Sequence, residues 1–340
     1  MSERKLATIQ RISKLTPIEN AEQIVVASVL GWKVVVRKDE FKEGDLVCYC
    51  EIDSILPEKS EFEFLRQKKF RIRTAKFRNQ ISQGICFPLS ILPEGTEIVE
   101  GKDVTDILGV TKYIYQIPAH LEGIIKGEFP QKIVPKTDET RVQLLQEVLT
   151  RHKGTRCYIS EKVDGSSVTY YYKDGNFGVC SRNLELKESE DNTLWKQAKE
   201  LKIKEKLEAY GKNLSLQGEI IGNGIQKNPL RLDGVKVLFF SVFDCDAYKY
   251  LDFEEFRQVI ELLGLETVPI VDTNFELIDD IDELVKIATS NSKINPKIYR
   301  EGIVIRPLKE IMDMQMAQGF GNGRLSMKIV NPEYLLKFDA

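Results

Sequence analysis

The first third of the chain never lets an apolar run go far before a turn-forming residue cuts it. Ala7–Leu15, Gln23–Val29, Trp32–Arg37 and Leu46–Ile52 are apolar or alternating, and Leu30-Gly31 and Lys42-Glu43-Gly44-Asp45 stand between them. Ile81–Pro88 reads as a further strand. Alternation puts every second side chain on one face of a sheet, so these runs predict short strands with one face buried.

Short strands with little helix between them leave sheet edges, and closing the sheet on itself removes them. The expectation is a small β-barrel of the OB type over 1–115, with a β-sandwich as the alternative. From Gly109 to Asp138 the pattern gives way to glycines and to Pro118, Pro130 and Pro135, which places a linker over 116–135. Beyond it the periods mix. Helices are expected over Glu139–Thr150 and Thr193–Tyr210, and Asp252 is placed to cap a helix running to Leu263. Arg156–Ser160, Ser167–Tyr172, Phe177–Ser181, Leu214–Ile221, Val235–Phe243, Gly302–Arg306 and Leu325–Val330 read as strands. Lys173-Asp174-Gly175-Asn176 reads as a hairpin turn. The fold class expected is α+β, with a second domain over 136–340.

A chain of 340 residues has room for two cores. Its six cysteines are scattered with no C-x-x-C, and it has two histidines, which argues against structural zinc and for reduced thiols. No apolar run could span a bilayer and no leader precedes the first strand, so a cytoplasmic protein without a membrane partner is expected. The net charge of −3 means that any polyanion must be met by a local cluster. Arg66–Arg78 is one: its cations are interleaved with Phe70 and Phe77 and broken by no acid. Lys69, Arg71, Arg73, Lys76 and Arg78 are the candidate contacts to a phosphate backbone. The plain alternative is an edge strand kept soluble by its charges.

The strongest chemical signal is Glu161-Lys162-Val163-Asp164-Gly165-Ser166-Ser167, lying between two expected strands. By itself it could be a solvated turn. As chemistry, it offers Lys162 as a nucleophile, which must shed its proton before it can attack. What separates the readings is the ordered company downstream. Ser181-Arg182-Asn183, Gly218-Glu219-Ile220-Ile221-Gly222 and Phe239-Phe240-Ser241-Val242-Phe243-Asp244 come first. Glu301-Gly302-Ile303-Val304-Ile305-Arg306 and Ser326-Met327-Lys328-Ile329 follow.

This ordered set resembles motifs I, Ia, III, IIIa, IV and V of the covalent nucleotidyltransferase superfamily of polynucleotide ligases and mRNA capping enzymes. Within it, the chain is most similar to the clade of ATP-dependent RNA ligases with an N-terminal OB domain. Pro135-Lys136-Thr137-Asp138-Glu139 with Arg141 and Gln143 carries that narrower likeness, as do Gly31-Trp32, Glu51-Ile52-Asp53-Ser54, Arg71-Ile72-Arg73 and Ser82-Gln83-Gly84. The resemblance implies an ATP-grasp-like nucleotidyltransferase domain of antiparallel sheets with flanking helices. It implies a lysyl-AMP on Lys162, with ATP as substrate and Mg²⁺ or Mn²⁺ as the metal. Asp164 and Glu301 would hold the metal, and Glu219 and Lys328 would complete the catalytic set. Glu161, Ser167, Arg182, Phe240, Arg141 and Arg324 would bind the nucleotide, with Phe240 stacking on adenine. Many such ligases carry a second motif V lysine. Here Lys328 is followed by Ile329 and Val330, which leaves Arg324 or Lys337 as substitutes.

The implied partner is RNA with 5′-phosphate and 3′-hydroxyl ends, on a duplex or free, with no obligate protein partner. A DNA ligase or a capping guanylyltransferase would share Lys162 but usually carries its OB domain after motif V, where little chain follows Lys328. A non-catalytic single-strand binder would have no need of Lys162, Glu219, Glu301 and Lys328 together.

Overall fold

The computed structural model of the protein describes residues 5–19, 21–78, 80–113, 124–317 and 323–338. Of the expected linker, 116–123 lie outside the described residues. The chain divides into two compact units. One comprises the described residues of Met1–Gln116 with Val142–Glu147 and those of Pro332–Ala340; the other comprises those of Ile117–Arg141 and Val148–Asn331.

In the first unit, a five-stranded antiparallel sheet runs in the order Trp32–Arg37, Ile24–Val29, Ala7–Pro17, Leu46–Cys50, Ile85–Phe87. The long strand Ala7–Pro17 pairs with Leu46–Cys50 through Ala7–Arg11 and with Ile24–Val29 from Ile12 on, and its register in the second pairing shifts between Ile12 and Lys14. Such a bulge bends a strand and lets one sheet curl. The edge strand Trp32–Arg37 is met by the chain around Ser82: Gln83 N donates to Lys33 O at 2.8 Å, and Val35 N donates to Ser82 Oγ at 2.9 Å. The barrel is therefore nearly closed, around Ile9, Ile12, Trp32, Val47, Tyr49 and Phe62. The expected strand Ile81–Pro88 breaks in two at Gly84. That residue has φ +103, and a Cβ there would lie 2.3 Å from the Tyr49 ring.

In the second unit, a seven-stranded sheet runs Ile125–Glu128, Leu184–Leu186, Asn176–Cys180, Ser166–Lys173, Leu214–Gly222, Val235–Asp244, Lys249–Tyr250. A five-stranded sheet runs Thr140–Arg141, Met327–Val330, Gly302–Pro307, Arg156–Lys162, Ile270–Glu276. Among the described residues, the strand pairs of these two sheets are antiparallel except Thr140–Arg141 on Met327–Val330. The expected helix over Glu139–Thr150 starts instead at Gln146, because Thr140 and Arg141 are taken up as that strand. Asp252 is the N-cap of the helix Phe253–Leu262, as expected, and its N–H donates to Glu255 Oε2 at 3.2 Å in a capping box.

The helix expected over Thr193–Tyr210 is two helices, Thr193–Glu200 and Ile203–Tyr210, parted at Lys202 with φ 52. In one unbroken helix, Ile203 and Leu207 would point away from the face that buries Leu194, Trp195 and Ala198. The break returns both to the core. All six cysteines are free and buried, and among the described residues no helix is long and apolar enough to cross a membrane.

Candidate active site

Val163, Asp164 and Gly165 form the passage between the two sheets of the second unit. Lys162 ends the strand Arg156–Lys162 of one, and Ser166 begins the strand Ser166–Lys173 of the other. Strand register then assembles the rest. Lys162 is paired with Gly302, next to Glu301, and Val304 with Lys328. Across the other sheet, Ser167 is paired with Glu219. Residues far apart in sequence thus become neighbours because each sits at a defined position along paired strands.

Lys162 Nζ donates to Glu301 Oε1 at 2.5 Å. Burial alone would pull the amine down. The carboxylates of Glu301, Glu219 and Asp164 outweigh that and hold it above the ordinary lysine value. Glu219 is pushed up to about 8 by burial and by Glu301 and Asp164, against the pull of Lys162 and Arg182. Lys328 is pushed down to about 7, mainly by burial and also by the nearby cations Arg141, Lys162 and Arg182, with Asp138 opposing. The site is a buried field in which acids crowd one lysine and cations crowd the other.

Motif V has no second lysine after Lys328, but another cation stands next to it. Arg141 lies directly beside Lys328 in the parallel strand pair. Lys337 belongs to the first unit. Arg324 is placed differently from the sequence expectation: it is buried, donates to both oxygens of Glu310, bonds Ser241 Oγ at 2.9 Å and lies 3.7 Å over the Tyr250 ring. These contacts engage its guanidinium within the protein framework. Glu161 is also placed differently. Strand alternation turns it to the face opposite Lys162, where its buried carboxylate accepts from Lys293 N at 2.8 Å.

The other expected nucleotide contacts stand near the lysines. Arg182 pairs with Asp138 at 2.9 Å, and the same carboxylate oxygen lies 4.0 Å from Lys328 Nζ. Ser167 Oγ is 3.3 Å from Thr137 Oγ1. Phe240 is half-buried beside Val163, Leu230 and Leu238. From sequence, Asp138 and Glu139 carry only a likeness to the clade. The structure shows the segment 135–141 gripping the site at nearly every residue. Pro135 O accepts from Gln217 Nε2 at 2.8 Å, and Glu139 binds Arg306.

A divalent metal fits one feature in particular. Glu301 Oε2 is buried without a hydrogen-bond donor, while its sister oxygen holds Lys162. An orphaned carboxylate oxygen is costly unless a cation or donor completes it. Among the described residues no three His, Cys, Asp or Glu side chains form a cage, but magnesium keeps most of its waters and needs one or two carboxylates.

In the first unit, the basic run does not present a uniform face. Arg71 is turned inward, pairs with Asp53 at 2.9 Å and lies 3.8 Å over the Tyr113 ring. Arg73 is half-buried. Lys69, Lys76 and Arg78 are exposed, Lys76 with Glu333 at 3.1 Å.

The chain is similar to known proteins. A family model described as RNA ligase matches residues 155–330, and one described as an OB-fold domain matches residues 6–89. The RNA ligase of Naegleria gruberi is similar along its whole length. A variant of it solved with ATP and Mn is 37% identical, with 98% of this chain and 99% of that chain covered and a TM-score of 0.88. A variant with AMP and Mn gives 37% identity, 99% and 99% coverage and 0.88, and the form with PPi gives 37%, 99%, 99% and 0.87. No curated protein sequence matches. On the ligase model, which takes in half the chain, and on this full-length likeness, the chain belongs to the RNA ligase family, with an OB-fold domain in front of the ligase domain.

Proposed function

We propose that this chain is an ATP-dependent ligase that joins an RNA 3′-hydroxyl to a 5′-phosphate, at nicks in a duplex, through a lysyl-AMP on Lys162. The observation that carries the reading is the Lys162 amine, held 2.5 Å from a Glu301 carboxylate whose other oxygen awaits a partner. The similar Naegleria ligase was solved with ATP and Mn, with AMP and Mn, and with PPi, ligands of the nucleotide chemistry proposed for this chain.

In the first step, the neutral amine attacks the α-phosphorus of ATP. A P–N bond forms, the bond to the β-phosphate oxygen breaks, and pyrophosphate leaves. The amine must first lose a proton, and Glu301 is the acceptor within hydrogen-bond reach. Asp164 and Glu301 would hold Mg²⁺ or Mn²⁺, which when bound neutralises charge on the α-phosphate. Lys328 and its strand neighbour Arg141 carry the positive charge for the phosphates. Arg141 thus takes the part of the second motif V cation. Arg182, Ser167 and Glu219 orient ribose and phosphates, and the half-buried Phe240 ring stacks on adenine. The AMP then passes to the RNA 5′-phosphate, and the 3′-hydroxyl displaces it. The OB domain over 1–115 tracks the phosphate backbone through Lys69, Lys76 and Arg78.

The test is incubation with α-labelled ATP and magnesium. Wild type becomes labelled and acid releases the label; Lys162→Ala stays unlabelled. Labelling by GTP in place of ATP points to a capping enzyme. A panel of 5′-phosphate substrates, nicked or open and with RNA or DNA on each side, then reads the substrate class.

A further inference from the structure

One buried charge has no part in the chemistry above. Arg306 lies on the strand Gly302–Pro307 and is 2% exposed. Its Nε donates to Ser326 Oγ at 2.9 Å, its Nη1 donates to Phe240 O at 3.3 Å, and its Nη2 binds the Glu139 carboxylate. The Tyr158 hydroxyl also bears on its charge. The guanidinium carbon stands 5.5 Å from the centroid of the Phe240 ring.

These partners come from separate segments, and each segment holds part of the nucleotide site. Phe240 is the adenine contact. Ser326 stands two residues before Lys328. Glu139 stands between Asp138 and the strand Thr140–Arg141. Tyr158 lies on the strand that ends at Lys162. An apolar side chain of similar volume would stabilise such a core about as well as a buried ion pair does. What the planar guanidinium adds is direction, because its fork fixes each partner at a set angle that an ammonium cannot impose.

We propose that Arg306 is a positioning residue of the nucleotide pocket: its guanidinium backs the Phe240 ring, pins the Phe240 carbonyl and so sets the surface on which adenine stacks, while Glu139 and Ser326 aim it. The inference rests on the reading of Phe240 as the adenine contact. It also gives Glu139 its work, since that carboxylate is what turns the guanidinium toward Phe240. Losing the fork but keeping a cation should loosen the ring rather than remove it. The affinity for ATP should therefore fall more than the chemical step.

The experiment measures initial rates of lysine adenylylation against ATP concentration for wild type, Phe240→Leu, Arg306→Lys and the double variant. Arg306→Lys should raise KM for ATP about three- to tenfold, with kcat far less affected, since the carbonyl bond it loses and the cation–π contact it weakens are each worth up to about 1 kcal/mol. Phe240→Leu should raise KM as well, and the double variant should be no worse than the larger single effect, because both act through one ring. Preference for ATP over GTP should narrow in both single variants. A role confined to stability would lower Tm and the active fraction and leave KM and base preference unchanged in the molecules that fold.

A wild-type KM in Arg306→Lys, with KM raised in Phe240→Leu, overturns the proposal and spares the adenine reading. An unchanged KM in Phe240→Leu overturns both. Additive effects in the double variant put Arg306 to work away from Phe240 and overturn the route argued here. If Arg306→Lys does not fold, Glu139→Gln takes its place: it releases the carboxylate that aims the guanidinium, and it should raise KM in the same direction. An unchanged KM there overturns the proposal.

Discussion

Gly165 is expected to be irreplaceable for a reason of space. Its φ is not in the left-handed region, yet a Cβ built on it would lie 2.2 Å from Ile220 O, 2.7 Å from Ile221 Cγ2 and 3.1 Å from Glu219 Cγ. A carbon normally approaches a carbonyl oxygen to about 3.3–3.6 Å, so Gly165→Ala must part the two strands by roughly 1 Å. The obstacle is backbone, which cannot swing aside as a side chain can. Overpacking of this kind costs about 1–3 kcal/mol, and a backbone clash belongs at the upper end. At about 2–4 °C per kcal/mol, Tm should fall by roughly 5–10 °C. The rate should suffer more. The strand pushed away carries Glu219, the turn pushed back carries Lys162 and Asp164, and a 1 Å error in such a site costs about 10²-fold. The assay is single-turnover transfer of labelled AMP to Lys162 on protein shown to be folded, with Tm measured alongside. Gly127→Ala is the control: that glycine has open space around it and an ordinary φ, and its replacement should be neutral for both readouts. If Gly165→Ala adenylylates within about threefold of wild type at an unchanged Tm, the close approach is not what the site needs and the reasoning is wrong.

Glu301→Gln keeps the shape but loses the charge that faces Lys162 and the orphaned oxygen, so adenylylation should drop about 10²–10³-fold and added manganese should not restore it. Lys328 in the nucleotide-free protein is pushed down to about 7 by burial, whereas the unfolded chain holds that proton to about its ordinary 10.5. The folded state then binds fewer protons across that window, so the stability linked to Lys328 grows as pH rises through it and is lost as pH falls through about 7. Thermal scans at rising pH should show this trend in wild type and not in Lys328→Met; parallel curves would refute it. In the first unit, charge reversal at Lys69 and Arg78, both exposed, should weaken RNA binding evenly across sequences and flatten its salt dependence while leaving lysine adenylylation intact. Arg71→Glu should instead destabilise the barrel, since Arg71 is buried against Asp53 and Tyr113, and a normal Tm there would refute that placement.

Local chemistry was legible from residue order alone. The alternating runs became strands at Ala7–Pro17, Ile24–Val29, Trp32–Arg37 and Leu46–Cys50, because alternation is a property of the strand itself. The turn after Lys162 fell between two strands, and Asp252 stood at the start of its helix, because turns and caps are settled within a few residues. Type and order singled out Lys162, Glu219, Glu301 and Lys328, and the fold brings these charges close enough to act on one another. Side-chain direction and long-range register were not legible in this way. Nothing in Arg66–Arg78 says that Arg71 turns inward, since its partners Asp53 and Tyr113 lie on other segments. Arg141 reaches Lys328 only because Thr140–Arg141 forms a parallel pair with a strand far along the chain, in place of the helix its own sequence favoured. Arg324 reads as a free cation until Glu310, Ser241 and Tyr250 close around it. A sequence fixes what each residue can do through forces that act over a few neighbours. Which charges meet depends on strand pairings between distant segments, where one step of register sends every side chain to the opposite face.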